Sequence, residues 1–228
     1  RSLDDSGGYH DVVEVLAHDP KFDWAKDIAF RRDVWALEIQ FKPMRMIWVD
    51  IPQPDGFMQR KLIWYMVYAV TNPGKIMHPV ADVPLPYPTK GDKLLYEVKM
   101  VDAPVRFLPE FLLVGYPHMK IDPKAAKAYP DRVIPVAMGP IRSREDPNRK
   151  FLTTVEMCRD IKVGETLWGA ATWEDIDPKI VRFSVLVSGL TNAYRWKDEP
   201  GAYKPGDPIL TGRTLYRKTL KLNFWRPA

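Results

Sequence analysis

The chain has 228 residues, of which 46% are hydrophobic and 28% are charged, and its formal net charge is +5. This composition argues against a disordered chain, and the length suffices for a buried core. Proline is the outlier at 22 residues, roughly twice the average usage. Because proline interrupts helix interiors and central strands alike, we expect short strands and long irregular connections rather than a helical bundle.

Residues 1–33 are predicted to be an N-terminal lead-in with a short helix packed on the main domain. Residues 1–8 have the polar, glycine-containing composition of a flexible terminus. Pro20–Phe30 spaces its apolar residues in a roughly helical arrangement, which favours a helix that starts near Asp19. The remaining residues, 34–228, are interpreted as a single β-sandwich domain.

Lys61–Asn72 is the segment on which the fold prediction depends. Between positions 62 and 70 every residue is apolar, so both faces of an extended strand would be buried. A strand of this kind lies at the centre of a sheet that is covered on both sides. The β-branched and aromatic content, followed by Asn72-Pro73-Gly74, favours a strand over a helix.

The residues before this segment predict two more pieces of strand. Val34–Phe41 alternates apolar and polar residues, as a strand with one buried face does. Lys42-Pro43 interrupts it, and Met44–Ile51 is expected to be a second strand or a bent continuation, with the proline at a bulge or an edge. Asp55-Gly56 suits a hairpin turn. Residues 34–72 therefore predict an antiparallel meander.

After the central strand, residues 73–93 contain five prolines and predict an extended loop draped over the sandwich. Residues 115–131, 138–149 and 192–208 are also expected to be irregular. Short apolar or alternating runs predict the remaining strands, which are Leu94–Val101, Val105–Leu108, Phe111–Val114, Arg132–Ala137, Phe151–Met157, Glu165–Trp173, Arg182–Ser188 and Thr214–Trp225. The pattern lacks βαβ alternation, so it predicts an all-β fold, an Ig-like antiparallel β-sandwich with long proline-rich loops and at most short helices. A closed barrel is the alternative.

The sequence contains none of the common catalytic signatures. There is no G-x-S-x-G, no phosphate-binding glycine loop, no G-x-G-x-x-G, no H-E-x-x-H and no C-x-x-C. We therefore predict no catalytic residue and no cofactor. The single cysteine, Cys158, excludes an internal disulfide and is expected to be a buried structural thiol.

The acidic residues Glu174, Asp175 and Asp177 are the candidate metal ligands, because calcium takes six to eight oxygen ligands in flexible geometry. They lack the glycine and the distal glutamate of the helical calcium loop. A solvated turn that begins at Asp177-Pro178 is the interpretation we favour, so no metal site is predicted.

Trp196 and Tyr203 are the candidate ligand-binding residues. Trp196 lies in the polar segment Tyr194–Glu199, whereas Trp35 and Trp64 lie on apolar faces and are expected in the core. A tryptophan offers a large apolar area with a polar handle, so it can stack on a sugar ring or pack against a protein partner. The competing interpretation is that Trp196 pins its loop to the body of the domain.

The stretch from Leu94 to Leu190 resembles Ig-like domains of exported bacterial proteins of unknown function. The resemblance rests on an alternating strand before Val105–Pro109 and Phe111, on Val163-Gly164-Glu165-Thr166 with Trp168-Gly169, and on Phe183–Leu190. The N-terminal part, WALEIQFKPMRMIWVDIPQPDG with KLIWYMVYAVTN, is similar to uncharacterised exported proteins of Planctomycetes-type bacteria. The resemblance implies the fold and an exported, periplasmic or cell-surface location.

These observations predict a non-catalytic exported interaction or structural protein that acts through a β-sandwich surface, with a protein partner or a glycan. The alternative is a carbohydrate-binding module that uses Trp196 and Tyr203, and an enzyme ranks third. Basic residues are spread along the chain without a binding motif, so no nucleic-acid partner is predicted. No run of about 20 apolar residues occurs, which predicts that the chain does not span a membrane. The chain begins at Arg1, which is compatible with a trimmed leader or tag.

Overall fold

The computed structural model describes residues 10–13, 33–81, 96–117, 125–202, 207–208 and 211–226. Within these ranges the chain forms fourteen strands and one helix, α1 (Pro135–Glu145). The strands are β1 (His10–Val13), β2 (Glu38–Phe41), β3 (Arg45–Pro52), β4 (Met58–Thr71), β5 (Ile76–Ala81), β6 (Tyr96–Val101), β7 (Val105–Arg106), β8 (Glu110–Tyr116), β9 (Lys127–Pro130), β10 (Asp160–Ile161), β11 (Thr166–Trp173), β12 (Arg182–Ser188), β13 (Tyr194–Asp198) and β14 (Arg213–Trp225).

Two main sheets form the body of the protein. The first has the order β1-β14-β12-β8-β9, with β13 also paired to β14. The second has the order β11-β4-β2, with β3 also paired to β4. Among the named strand pairs, β1–β14 is parallel and the others are antiparallel. The predicted all-β, sandwich-like fold with at most short helices is confirmed.

The larger core lies between these two sheets and is built around β4. Trp64, Met66 and Tyr68 are at most 2% exposed and point into it. The Trp64 and Phe183 rings have centroids 5.2 Å apart, and the Tyr68 and Phe111 rings 4.7 Å apart. Burying one large apolar side chain stabilises the fold by roughly 1.5–3 kcal/mol, so these contacts fix the second sheet against the first.

The opposite face of β4 contributes to a second core under α1. Ile63, Tyr65 and Val67 are at most 2% exposed, and they belong to one cluster with Ala137 and Ile141 of the helix. The central strand is therefore buried on both faces, as its sequence predicts. One face is covered by a sheet and the other by a helix.

The helix itself is a correction to the sequence analysis, which predicted a strand at Arg132–Ala137 and a loop at 138–149. Gly139 and Pro140 lie inside α1, and both residues disfavour a helix interior. Packing of its buried side chains against β4 outweighs that local preference. A proline at the start of the helix also fits, because the first amides of a helix have no intrahelical partner.

Strands β2 and β3 are one bent strand along one edge of β4. Phe41 lies opposite Tyr68, and Arg45 lies opposite Tyr65. Three residues of one strand thus face two of the other, which is a one-residue bulge at Lys42-Pro43-Met44. The bent continuation is confirmed. Residues 34–72 form a hairpin, in which the bent strand β2–β3 pairs with β4, rather than a meander.

The predicted hairpin turn between β3 and β4 is confirmed. Gly56 has a φ of 86°, and its amide donates to the Gln53 carbonyl at 3.0 Å. The Phe57 amide donates to Asp55 Oδ1 at 3.1 Å. Glycine adopts this left-handed backbone without a steric cost, so Asp55-Gly56 suits the turn.

Further local predictions are wrong. Lys127–Pro130, within the predicted irregular stretch 115–131, forms β9 and pairs with β8. Ile76–Ala81, within the predicted loop, forms β5 and pairs with β6, and Pro79 is tolerated there because a two-stranded sheet consists of edge strands. Thr153–Met157 is a turn rather than a strand, closed by the bond from the Met157 amide to the Thr153 carbonyl (3.0 Å). Cys158 follows this turn and is exposed rather than buried.

Part of the predicted N-terminal lead-in joins the first sheet, since β1 pairs with residues 217–220 of β14. The predicted helix at Pro20–Phe30 lies outside the described residues. Trp35 is partly buried against the larger core, and Trp64 is 2% exposed.

Candidate functional site

The predicted acidic site is an ion-paired turn after β11. Lys61 Nζ lies 2.9 Å from Glu174 Oε2 and 3.0 Å from Asp175 Oδ2. Arg132 Nη1 lies 2.8 Å from Glu174 Oε1. Burial acts to raise the pKa of Glu174, but the hydrogen bonds from Lys61 and Arg132 outweigh it and lower that pKa below its ordinary value. These carboxylates are already neutralised by protein cations.

Asp177 is held separately from the other two carboxylates. Its Oδ2 lies 2.7 Å from Lys127 Nζ, and its Oδ1 accepts a bond from the Lys179 amide at 2.9 Å. Within the described ranges, no group of three or more His, Cys, Asp or Glu side chains is placed to hold a metal ion. Calcium binding here would require the lysine and arginine partners to be displaced, so the geometry favours a turn held by ion pairs over a metal site.

The predicted ligand-binding residue Trp196 lies on a strand rather than in a loop. It is the middle residue of β13, which pairs with the first part of β14 so that Trp196 lies opposite Leu215. We call Tyr194–Asp198 and Arg213–Arg217 together the ribbon. All five residues of β13 are exposed. Tyr203, the second predicted ligand-binding residue, lies outside the described residues.

One face of the ribbon carries a row of exposed apolar side chains. Trp196 is 52% exposed, Tyr194 is 46% exposed and Leu215 is 40% exposed. The rings of Tyr194 and Trp196 are tilted by 51°, with centroids 6.2 Å apart. Leu220 and Phe224 pack toward the larger core, so the odd-numbered side chains of β14, including Leu215, lie on the side away from it. We call the side that bears Trp196 and Leu215 the outer face.

An ion pair fixes Trp196 in this outer face. Arg213 Nε and Nη2 donate to the two carboxylate oxygens of Asp198 at 2.6 and 2.7 Å. The same guanidinium carbon lies 5.2 Å from the centroid of the Trp196 ring, which is a cation–π distance. The hydrogen bond from Arg213 lowers the pKa of Asp198, so the carboxylate stays charged at neutral pH. A two-pronged bond of this kind sets orientation as well as distance.

The ribbon is basic as a whole. Its ten residues include the four cations Arg195, Lys197, Arg213 and Arg217 and the one anion Asp198. The pairing register places Arg195 and Lys197 on the face opposite Trp196. Cations therefore lie on both faces of the ribbon, with Arg213 and Arg217 on the outer face that bears the aromatic row.

The backbone of β13 is bonded on one edge only among the strands that the structure describes. The Glu199 amide donates to the Gly212 carbonyl at 2.9 Å, and the Lys218 amide donates to the Ala193 carbonyl at 3.4 Å. Odd-numbered residues of this segment therefore direct their amide and carbonyl groups toward β14. Since these directions alternate along an antiparallel strand, the even-numbered residues direct theirs to the opposite edge.

The ribbon is anchored where the chain leaves β12. The Leu37 amide donates to the Leu190 carbonyl at 2.7 Å. Asn192 accepts from the Trp35 amide at 3.0 Å and donates to the Asp33 carbonyl at 2.8 Å. The segment that precedes β13 is thus bound to the chain that leads into the second sheet, which fixes the position of the ribbon on the sandwich.

A second exposed apolar surface lies at the β3–β4 hairpin. Trp48 is 56% exposed, Phe57 74% and Met58 61%. The Arg60 guanidinium lies 5.6 Å from the Trp48 ring centroid, and Asp50 lies opposite Arg60 in the sheet. This surface has a tryptophan and an arginine placed as in the ribbon, but the hairpin from Trp48 to Arg60 carries two aspartates and one arginine, so it is not basic. It provides a matched control for the ribbon.

The sequence identified Trp196 but not its partners. Arg213 and Asp198 lie 15 residues apart, and only the pairing of β13 with β14 brings them together. The usable signal was the alternation of aromatic and basic residues from Tyr194 to Lys197, which is the period of a strand.

No protein-family model, curated protein or solved structure matches this chain. No helix in the described ranges is long and apolar enough to cross a membrane. Fold and site together define a β-sandwich protein with one basic, aromatic ribbon exposed at the end of its first sheet.

Proposed function

We propose that this protein is a non-catalytic, exported interaction protein that binds a protein partner through the outer face of the ribbon. The observation that carries the proposal is the fixed exposure of Trp196, held by Arg213 and Asp198 in an otherwise basic surface. Exposed aromatic residues beside arginine are typical of the centres of protein interfaces. Orienting an exposed aromatic side chain before binding reduces the entropy lost on binding.

The exported location is part of the same proposal. It is supported by the resemblance of Leu94–Leu190 to Ig-like domains of exported bacterial proteins. A β-sandwich that presents one fixed surface suits a structural or adhesive role in such a setting, because binding then requires no movement of the domain.

Site-specific photo-crosslinking in the cells that produce the protein tests the interaction. A photoreactive benzoylphenylalanine replaces Tyr194 in one variant and Trp48 in a second. We expect light-dependent covalent adducts with a defined protein from position 194 and none from position 48, although both positions are exposed. Equal adducts from the two positions, or none from position 194, would contradict the proposal.

A carbohydrate-binding module is the second candidate, and the arrangement of Tyr194 and Trp196 favours it. Their rings are 6.2 Å apart and both are about half exposed, and sugar rings stack on exposed indole faces. Binding on a glycan array that Trp196→Ala abolishes and Trp48→Ala retains would support this candidate. Binding that survives Trp196→Ala would exclude the ribbon as a glycan site.

A further inference from the structure

The edge of β13 has the features of a site for strand addition. We propose that the partner contributes an acidic extended segment, which pairs antiparallel with β13 and continues the first sheet. This inference rests on the proposed function, because it names the mode and the chemistry of binding at the same ribbon. Strand addition draws its affinity from backbone hydrogen bonds and its specificity from alternate side chains.

The backbone argument comes from the register of the ribbon. Tyr194, Trp196 and Asp198 direct their amide and carbonyl groups away from β14, as the bonds of Glu199 and Ala193 require. Three outward residues supply three donors and three acceptors to an added strand. All of β13 is exposed, and no other described strand pairs with it.

The charge of β13 selects the occupant. Pairing of two copies of β13 about Trp196 would place Arg195 of one copy opposite Lys197 of the other. Like charges directly opposite each other destabilise a strand pair, whereas opposite charges stabilise it. Basic residues on an edge strand are also a common protection against self-association. The edge therefore disfavours a second copy of this chain and favours an acidic strand.

The register also sets the pattern of the partner. Partner residues opposite Arg195 and Lys197 would project to the same face as these cations, so acidic residues belong at those two positions. The residue between them lies opposite Trp196 and projects to the outer face, where an apolar side chain fits. The expected motif is an acidic residue, an apolar residue and an acidic residue in an extended segment.

A fluorescently labelled ten-residue peptide that alternates glutamate and valine tests this inference with the full chain. In antiparallel addition the valines lie opposite Tyr194, Trp196 and Asp198, and their amides donate to β13. The amides of the intervening glutamates point away from β13. We expect N-methylation of the valine amides to abolish binding and N-methylation of the glutamate amides to leave binding unchanged. Replacing glutamate by lysine is expected to abolish binding as well.

Charge reversal in the protein provides a second test of strand addition. Lys197→Glu is expected to weaken peptide binding roughly fivefold or more, since one favourable cross-strand pair becomes a repulsive one. Lys99→Glu, an equal change of charge at an exposed position on β6, is expected to leave binding unchanged.

Two outcomes overturn strand addition while leaving the proposed interaction surface intact. One is equal binding of the two N-methylated peptides. The other is no binding of the glutamate–valine peptide while position 194 still forms adducts in cells. The absence of adducts from position 194 in cells would instead contradict the proposed function.

Discussion

Tyr65 and Tyr68 lie three residues apart on β4, on opposite faces of the strand, and only one of their hydroxyls is hydrogen-bonded within the described structure. The Tyr65 hydroxyl donates to Glu145 Oε1 at 2.7 Å. The Tyr68 hydroxyl is buried between the two sheets and has no partner there. Both side chains are at most 1% exposed. Removing the two hydroxyls should therefore have opposite effects on stability.

Tyr68→Phe is expected to raise the free energy of unfolding by about 1 kcal/mol. The substitution removes a buried hydroxyl whose lost hydration no protein group replaces. Urea unfolding at pH 7, followed by far-ultraviolet circular dichroism, measures the change. A destabilised variant would show that the hydroxyl has a partner in solution.

Tyr65→Phe is expected to lower the free energy of unfolding by about 2 kcal/mol, because it removes a hydrogen bond to a buried carboxylate. The same measurement applies, with Tyr194→Phe as an exposed control that should leave stability unchanged. An unaltered Tyr65→Phe protein would mean that Lys42 and Arg45 alone satisfy Glu145. These cations lie 3.0 Å from its two carboxylate oxygens.

Glu145 should make stability depend on pH in the acidic range. Burial acts to raise its pKa, but the hydrogen bonds from Tyr65 and Lys42 and the charge of Arg45 lower it below the ordinary value. A depressed folded-state pKa gives stability that is present above the unfolded-state pKa, about 4.3, and is lost as pH falls through the folded value. Glu145→Gln should therefore destabilise the protein at pH 7, and the difference from wild type should narrow at acidic pH.

Urea midpoints of wild type and Glu145→Gln at about pH 7 and pH 3 test this expectation. Glu199→Gln, at an exposed position after β13, is the matched control and should leave the midpoint at pH 7 unchanged. A constant difference between wild type and Glu145→Gln across this range would contradict the assigned role of the carboxylate.

Two glycines with positive φ should tolerate alanine very differently. Gly189 has a φ of 88°, and an added Cβ would overlap the Leu108 carbonyl oxygen. Gly164 has a φ of 77° and open space around the same position. We expect Gly164→Ala to cost about 1 kcal/mol from the backbone alone and Gly189→Ala to cost about 3 kcal/mol or more. Thermal unfolding of both variants measures the difference, and equal melting temperatures would contradict it.

The sequence is most informative where local pattern and tertiary environment agree. The two-sided apolar pattern of β4 predicts a central strand because both of its faces are buried. The interruption at Lys42-Pro43 predicts a bend because a proline cannot donate a ladder bond, and a one-residue bulge is found there. In both cases the cause lies within a few residues of the chain.

The sequence fails where distant contacts decide the outcome. Gly139 and Pro140 make the sequence of α1 unlike that of a helix. The helix is stabilised by the buried contacts of Ile141 with the second core rather than by local propensity. The carboxylate of Glu145 and the hydroxyl of Tyr65 are 80 residues apart. The pattern of either segment alone does not reveal that they meet.

The candidate site shows the same division. The sequence predicts that Trp196 is exposed because it lies among polar residues, which are uncommon in a buried core. Its support by Arg213 depends on the register of β13 with β14, which the predicted loop at 192–208 excluded. The alternation from Tyr194 to Lys197 was present in the sequence, but it spans too few residues to outweigh the surrounding loop composition.

The bonds of Leu190 and Asn192 to the segment from Asp33 to Leu37 have a mechanical consequence. A force applied along β13 reaches the first sheet through β14 and reaches the segment leading into β2 through these bonds. A tensile load on the ribbon is therefore divided between both layers of the sandwich. Such a joint is suited to an attachment point that must hold under strain.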